Sequence, residues 1–304
     1  MAQHNDNDQE SFFVSMTDIM VGLLFIFIIL VVYFVTQVRL EVEKNVVLTQ
    51  ELQDEGTREQ REELDRYRSK VANQRTRILE DLKDFFYREG FTEVEIDTSN
   101  GVLRFPDGVL FGSGEFDFQE DSDAFRAVEV LASALVEVLP CSVLNSSGER
   151  YVDRASCQIG RTRYPNTNDA FLESVYVEGH TDNVQVSEDF GLARDPRINS
   201  NLKLSARRST NTFDRIGKLQ PEIENYYGLS SDGLAFRNER VLAVAAYGEQ
   251  RPIADNDTKE GQRANRRIDL RLVMYQPIDY EGLRALLANI SERNQEVRDA
   301  LESS

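Results

Sequence analysis

The segment from Phe12 to Val35, FFVSMTDIMVGLLFIFIILVVYFV, contains one charged side chain, Asp18, and nothing basic. A helix rises about 1.5 Å per residue, so a run of this length crosses a hydrocarbon core of about 30 Å. A carboxylate inside a lone span costs about 2.5–3.5 kcal/mol, so such a group faces a protein partner or a water path. The alternative starts the span at Ile19 and leaves Asp18 at the membrane boundary. Phe12, Phe13, Val14 and Met16 precede the acid and suit water poorly, which favours the longer span. No basic stretch precedes the run, it is too long for a cleavable signal, and no small-residue cleavage site follows it. It reads as an uncleaved signal anchor.

The 304 residues leave room for one span, a connector and one globular domain. A net charge of −18 argues against a nucleic-acid partner, because phosphate binding needs clustered Lys and Arg. No glycine-rich phosphate loop is present, and no Ser sits in a nucleophile elbow. The two histidines, His4 and His180, have no metal-ligand spacing around them. His180 is read as shaping its loop, and the chain as a non-enzyme without cofactor or metal.

Orientation is read from opposing signals. The tail 1–11 has no Lys or Arg, whereas Arg39 and Lys44 follow the span, and this favours an external N-terminus. A short acidic tail beside a large C-terminal domain favours the reverse, with 1–11 cytoplasmic and the domain outside. Cys141 and Cys157 support the second orientation, since a disulfide between them requires an oxidising compartment. Two free buried thiols are the alternative.

Residues 36–90 are strongly charged, helical in pattern and free of Pro. Val35, Val38, Val42, Thr49 and Leu52 fit a heptad seam with Asn45 at one core position, and a coiled coil implies two copies of the chain. Leu64, Tyr67, Val71, Ile78, Leu82 and Phe85 continue the stripe, broken by Gln74. The competing reading is a single helix lying on the following domain. From Val94 the pattern turns to strands, then a helix over Ala124–Leu139, a polar stretch over 141–170 and a strand ending at Asp182. A helix capped by Ser200 or Asn201 follows, then a strand from Arg240, a polar loop, and a last strand around Arg267. Leu283, Leu286, Leu287, Ile290 and Val297 mark one face of a terminal helix. The fold class is α+β, with a β-α-β-α-β order in the domain 91–304.

Four pieces carry the chemistry: LRFPDGVLFGSG (103–114), VEGHTDN (177–183), NLKLSARRS (201–209) and YGEQRP (247–252), followed by NRRIDLRL (265–272). In order and spacing this set resembles the OmpA-like peptidoglycan-binding domains over about residues 94–277. The resemblance implies that Asp182 and Arg208 grip the diaminopimelate of the stem peptide, with Thr181, Asn201 and Leu204 lining the site. The chemistry suits such a ligand independently: an ammonium needs an anion, and a carboxylate is clamped by a guanidinium fork. A simple surface ion pair between Asp182 and Arg208 is the alternative. The long 184–200 loop and the Cys-bearing stretch depart from that family.

The N-terminal half, a short tail, a membrane acid, one span and a helical linker, resembles the B subunits of ion-driven stator units such as MotB. DIMVGLLFIFIIL is most similar to the B subunits of the Zorya anti-phage stators. That resemblance implies a homodimer within a pentamer of multi-span A subunits, ion passage (taken as H⁺) through Asp18, anchoring to peptidoglycan and indirect coupling to cytoplasmic defence effectors. A flagellar-type stator subunit and a purely structural envelope tether are the alternatives.

Overall fold

A computed structural model describes residues 6–112, 115–186, 200–231 and 236–288; the side chains of 6–19, 22, 43, 45–56, 230–231 and 236–238 are outside that description. The chain divides into two units, Met1–Glu62 and Glu63–Ser304. The first helix, α1, has the bounds Asp6–Arg88.

In the first unit, Leu23–Val42 has a mean hydropathy of 2.4 with none of it buried, long and apolar enough to cross a membrane. The described part of the expected span is exposed throughout, from Met20 at 62% to Val35 at 46%. Aqueous exposure of so many large apolar chains would be costly, and lipid removes that cost. Asp18 lies on the helical backbone, but its side chain is outside the described residues, as are Asn45, Thr49 and Leu52 of the expected seam. Val38 and Val42 are exposed in the single chain.

The second unit is built on a five-stranded sheet. In chain order its elements are β1 (Glu95–Asp97), β2 (Val102–Pro106), α2 (Asp123–Val138), β3 (Leu172–His180) and α3 (Asn201–Leu219). They continue with β4 (Tyr227–Ser231), β5 (Phe236–Arg240), β6 (Leu242–Gly248), α4 (Lys259–Asn265) and β7 (Arg267–Met274). The sheet order is β1-β2-β7-β3-β6, with β4 and β5 forming a separate antiparallel pair. β3 runs parallel to β6 and antiparallel to β7. The expected β-α-β-α-β order is present as β2-α2-β3-α3-β6, and the class is α+β. The β4–β5 hairpin was not anticipated from the sequence.

The apolar stripe after Gly56 belongs to this unit. Val71, Leu79, Leu82 and Phe86 are fully buried, Ile78 nearly so, and Phe86 packs edge-on against Phe105 at 5.1 Å. Each such side chain contributes about 1.5–3 kcal/mol on burial. Residues 63–88 therefore form part of the domain core, which shortens the linker expected over 36–90. Gln74, the break in the stripe, is 3% exposed and donates to the Pro165 carbonyl. Tyr67 donates to the Asp169 carbonyl. Both polar chains fasten the 141–170 stretch to the helix.

That stretch is closed by the disulfide Cys141–Cys157. Buried Asn166 ties the stretch together, with Nδ2 donating to the carbonyls of Cys141 and Ala170 and its N–H donating to the Cys157 carbonyl. The expected pairing is thus present. A closed loop of about 15 residues contributes about 3 kcal/mol by restricting the unfolded chain. We predict that reductant lowers the thermal midpoint of the purified protein by several degrees, and that the Cys141→Ser/Cys157→Ser variant no longer responds. An equal response in the double variant would remove the disulfide as the cause. Residues 280–288 are helical with Leu283 and Leu286 buried, while Ile290 and Val297 are outside the described residues.

Candidate ligand-binding crevice

The crevice forms where the C-terminal end of β3 meets the start of α3. Ser200 caps α3, its Oγ accepting from Lys203 N–H at 3.3 Å, which satisfies one free amide of the first turn. Gly179 permits the close approach of the two elements, because a Cβ there would stand 2.2 Å from the Ser205 carbonyl oxygen. Gly248, at φ +55°, brings its N–H to Ser205 Oγ at 2.9 Å. These contacts fix Thr181 and Asp182 beside Asn201, Leu204 and Arg208, and all five expected residues are buried together.

Their bonding differs from a simple Asp–Arg pair. Asp182 accepts from Val184 N–H through Oδ1 and from Arg266 Nη1 through Oδ2, at 3.1 and 2.6 Å. Arg266 also donates to Asp107 Oδ2 from Nε at 3.0 Å and from Nη2 at 2.5 Å. Two carboxylates thus share one guanidinium, and the hydrogen bonds to Asp107 raise the Arg266 pKa above its ordinary value. Arg208 is 2% exposed and donates to two backbone carbonyls, Glu115 at 2.7 Å and Gly112 at 2.9 Å. Burial holds its guanidinium down at about 10, and Asp107 is the strongest opposing influence. Asn201 bonds the Asp182 carbonyl and the Glu249 carboxylate, and Thr181 Oγ1 is buried without a partner among the described residues.

Asp107, Arg208 and Arg266 line one crevice with a free volume of about 10 Å³, the room of a single water. The surroundings can receive a carboxylate at Arg208 and an ammonium at the neighbouring acids. Asp107 and Arg266 carry the quoted motifs PDG and NRR, but sequence reasoning gave neither a role. The turn at Pro106–Gly108, closed by Gly108 N–H to the Phe111 carbonyl at 2.9 Å, is the local signal for Asp107.

His180 lies next to this crevice and is 1% exposed. Its Nε2 stands 3.5 Å from Asp269 and 3.9 Å from Glu178, and its ring stacks on Tyr247 at 5.4 Å. These three residues have the proximity of a metal set. Both acids are already matched by guanidinium groups, however: Arg271 forks Glu178, while Arg104 and Arg267 bond Asp269. A cation would face three fixed positive charges, which favours a buried ion network. Burial pushes the His180 pKa below 6.5, and Glu178 offsets this in part. A base with a depressed folded pKa gives stability that is complete above its unfolded pKa and is lost as pH falls through the folded one. We predict that thermal stability declines below about pH 6.5, and that His180→Gln shows a smaller decline. Asp81, raised to about 6 mainly by burial, acts in the opposite sense, so the difference between wild type and variant is the readout. Parallel curves for the two proteins would remove His180 as the titrating group.

No protein-family model matches the chain. The fold and crevice define an α+β domain with a buried acid–guanidinium site beside the C-terminal end of β3. Among curated proteins, the chain is similar to motility protein B of Bacillus subtilis (strain 168), 27% identical over 100 residues, 33% of this chain and 30% of that protein. It is also similar to outer membrane porin F of Pseudomonas aeruginosa, 36% identical over 107 residues, 35% of this chain and 21% of that protein. These matches span a third or less of the relatives' lengths. A solved structure of a MotB-like protein from Desulfovibrio vulgaris overlays 68% of this chain and 94% of its own, with 20% identity and a TM-score of 0.41. A periplasmic-domain structure of Helicobacter pylori MotB overlays 62% of this chain and 84% of its own, with 18% identity and a TM-score of 0.36.

Proposed function

We propose that this chain is the peptidoglycan-anchored B subunit of an ion-driven stator in an inner membrane. The carrying observation is Arg208, a buried guanidinium bonded to backbone carbonyls among the described residues, in a crevice lined also by Asp107 and Arg266, with Asp182 bonded to Arg266 beside it. Asp107 and Asp182 act on this charge without a direct ion pair to it among the described residues, and a buried charge without a directly bonded counter-ion is expensive. A carboxylate ligand supplies that counter-ion, and the adjacent acids receive the ammonium of the same zwitterion. Diaminopimelate of the stem peptide has both groups at one carbon, and Asp182, Thr181, Asn201, Leu204 and Arg208 are its proposed contacts. An amino-acid head is larger than the present free space, so it displaces the Gly112 and Glu115 carbonyls from Arg208.

The similarity to motility protein B supports the stator reading, and Asp18 separates it from a tether. A tether gains nothing from an acid in its span, whereas an ion path needs a group that changes charge on each passage. In this reading the N-terminus is cytoplasmic, the domain is periplasmic, and the chain is a homodimer within a pentamer of multi-span A subunits. The finer assignment, to the Zorya anti-phage systems with their defence effectors, rests on the segment DIMVGLLFIFIIL. The full chain, purified in detergent, is expected to cosediment with purified sacculi and to conduct protons when coexpressed with a multi-span partner. Cosedimentation without conductance in any such pairing would leave the tether.

A further inference from the structure

We infer that α1 carries one uninterrupted dimer seam, running from inside the apolar run into the linker, and that its occupant is a second, parallel copy of this chain. This rests on the homodimer of the stator reading and assigns the face that forms it.

The register is fixed outside the apolar run. Sorting residues 36–55 into the seven heptad positions leaves charges at five of them: Glu43 at b, Lys44 and Glu51 at c, Arg39 at e, Asp54 at f, and Glu41 and Glu55 at g. Positions a (Val42 and Thr49) and d (Val38, Asn45 and Leu52) carry none. These two positions face the partner when helices pair at about 3.5 residues per turn.

Counting back by sevens along the continuous helix Asp6–Arg88 carries a to Val35, Ile28, Val21 and Val14, and d to Val31, Leu24 and Thr17. Every a residue from Val14 to Thr49 is β-branched. The aromatic residues of the run fall on other positions: Phe25 at e, Tyr33 at f, and Phe13, Phe27 and Phe34 at g. Charges beyond the run do not impose this pattern inside it, so the two observations are independent. β-branched residues at a favour two parallel strands, and the helix has already fixed their χ1 before association. Helices in lipid gain nothing from the hydrophobic effect on pairing, so association depends on how closely the side chains pack. The described a and d residues from Val21 to Val42 are all exposed in the single chain. Thr36, at b, satisfies its hydroxyl within the same helix by donating to the Val32 carbonyl at 2.7 Å.

The heptad repeat gives the pair a left-handed supercoil. It also puts Asp18 at e, beside the seam rather than in it. Two copies joined through a and d then carry the acid on opposite flanks of one rod, where a surrounding subunit has access.

The test uses the full chain in isolated bacterial inner membranes, with single added cysteines oxidised by copper phenanthroline. Leu24→Cys, Ile28→Cys and Val31→Cys are expected to cross-link chain to chain about fivefold more than Phe25→Cys, Phe27→Cys and Ile29→Cys. Val38→Cys and Val42→Cys are expected to continue the series in phase, above Leu40→Cys and Glu41→Cys. The chain without an added cysteine, whose Cys141 and Cys157 are bonded to each other, sets the background. Immunoblots establish that each variant is present in equal amount. Uniform cross-linking, maxima on another face, or a change of phase between Val31→Cys and Val38→Cys overturns the continuous seam and leaves the homodimer. Background levels at every position overturn the seam together with the homodimer beneath it.

Discussion

Asp18→Asn is expected to abolish ion conductance and biological activity while the amount of chain in the membrane stays at wild-type level. Asn keeps nearly the size and polarity of Asp, so insertion and helix packing are preserved. It cannot gain and lose charge, so no ion is carried through the step that depends on that group. If Asp18 lies within the span, as the stator reading requires, a charge there costs about 2.5–3.5 kcal/mol that a tether would not need. Conductance is measured in cells coexpressing the multi-span partner, with immunoblotting of membranes as the control. Full activity in Asp18→Asn cells would remove the stator reading and leave a wall-bound tether with an incidental acid.

The second large effect is expected at Arg208. Arg208→Ala leaves the ligand carboxylate without its donors, a change that typically costs about 2–5 kcal/mol for a buried charge pair. This corresponds to a loss of about 30-fold to several thousand-fold in affinity for sacculi. The Gly112 and Glu115 carbonyls also lose their donor, so some of the effect acts through the 111–116 segment. Arg208→Lys separates these contributions, because it keeps the charge without the fork and should recover only part of the binding. Cosedimentation with purified peptidoglycan measures both variants. Wild-type binding by Arg208→Ala would show that this guanidinium serves the fold alone.

Much of the architecture was legible because its signals are local. Strand alternation, the Ser200 cap and the apolar face of Ala124–Leu139 each depend on neighbours a few residues away, and α2 and α3 form close to the expected bounds. The Cys141–Cys157 pairing was legible as well, since the polar 141–170 stretch offered two cysteines and few apolar residues. The β4–β5 hairpin was missed although YYGLSSDGLAFRNERV alternates around an Asp-Gly turn signal, because its strands join a sheet of only two. The site was legible in part. Asp182, Asn201, Leu204 and Arg208 sit in recognisable motifs, and the structure brings them together.

The sequence by itself determined the apolar run with its single acid, the α+β order and the motif residues, because periodicity and composition are properties of short segments. Only the tertiary structure decided two matters. The heptad-like stripe is ambiguous alone, since a seam between two copies and a face on a domain demand the same 3.5–3.6 spacing. Burial of Val71, Leu79 and Phe86 assigns its second part to the domain. The partner of each charge was likewise undetermined, because Asp107, Asp182 and Arg266 are far apart along the chain. Only the packing of β2, β3 and β7 in one sheet brings two acids onto one guanidinium and leaves Arg208 to the carbonyls.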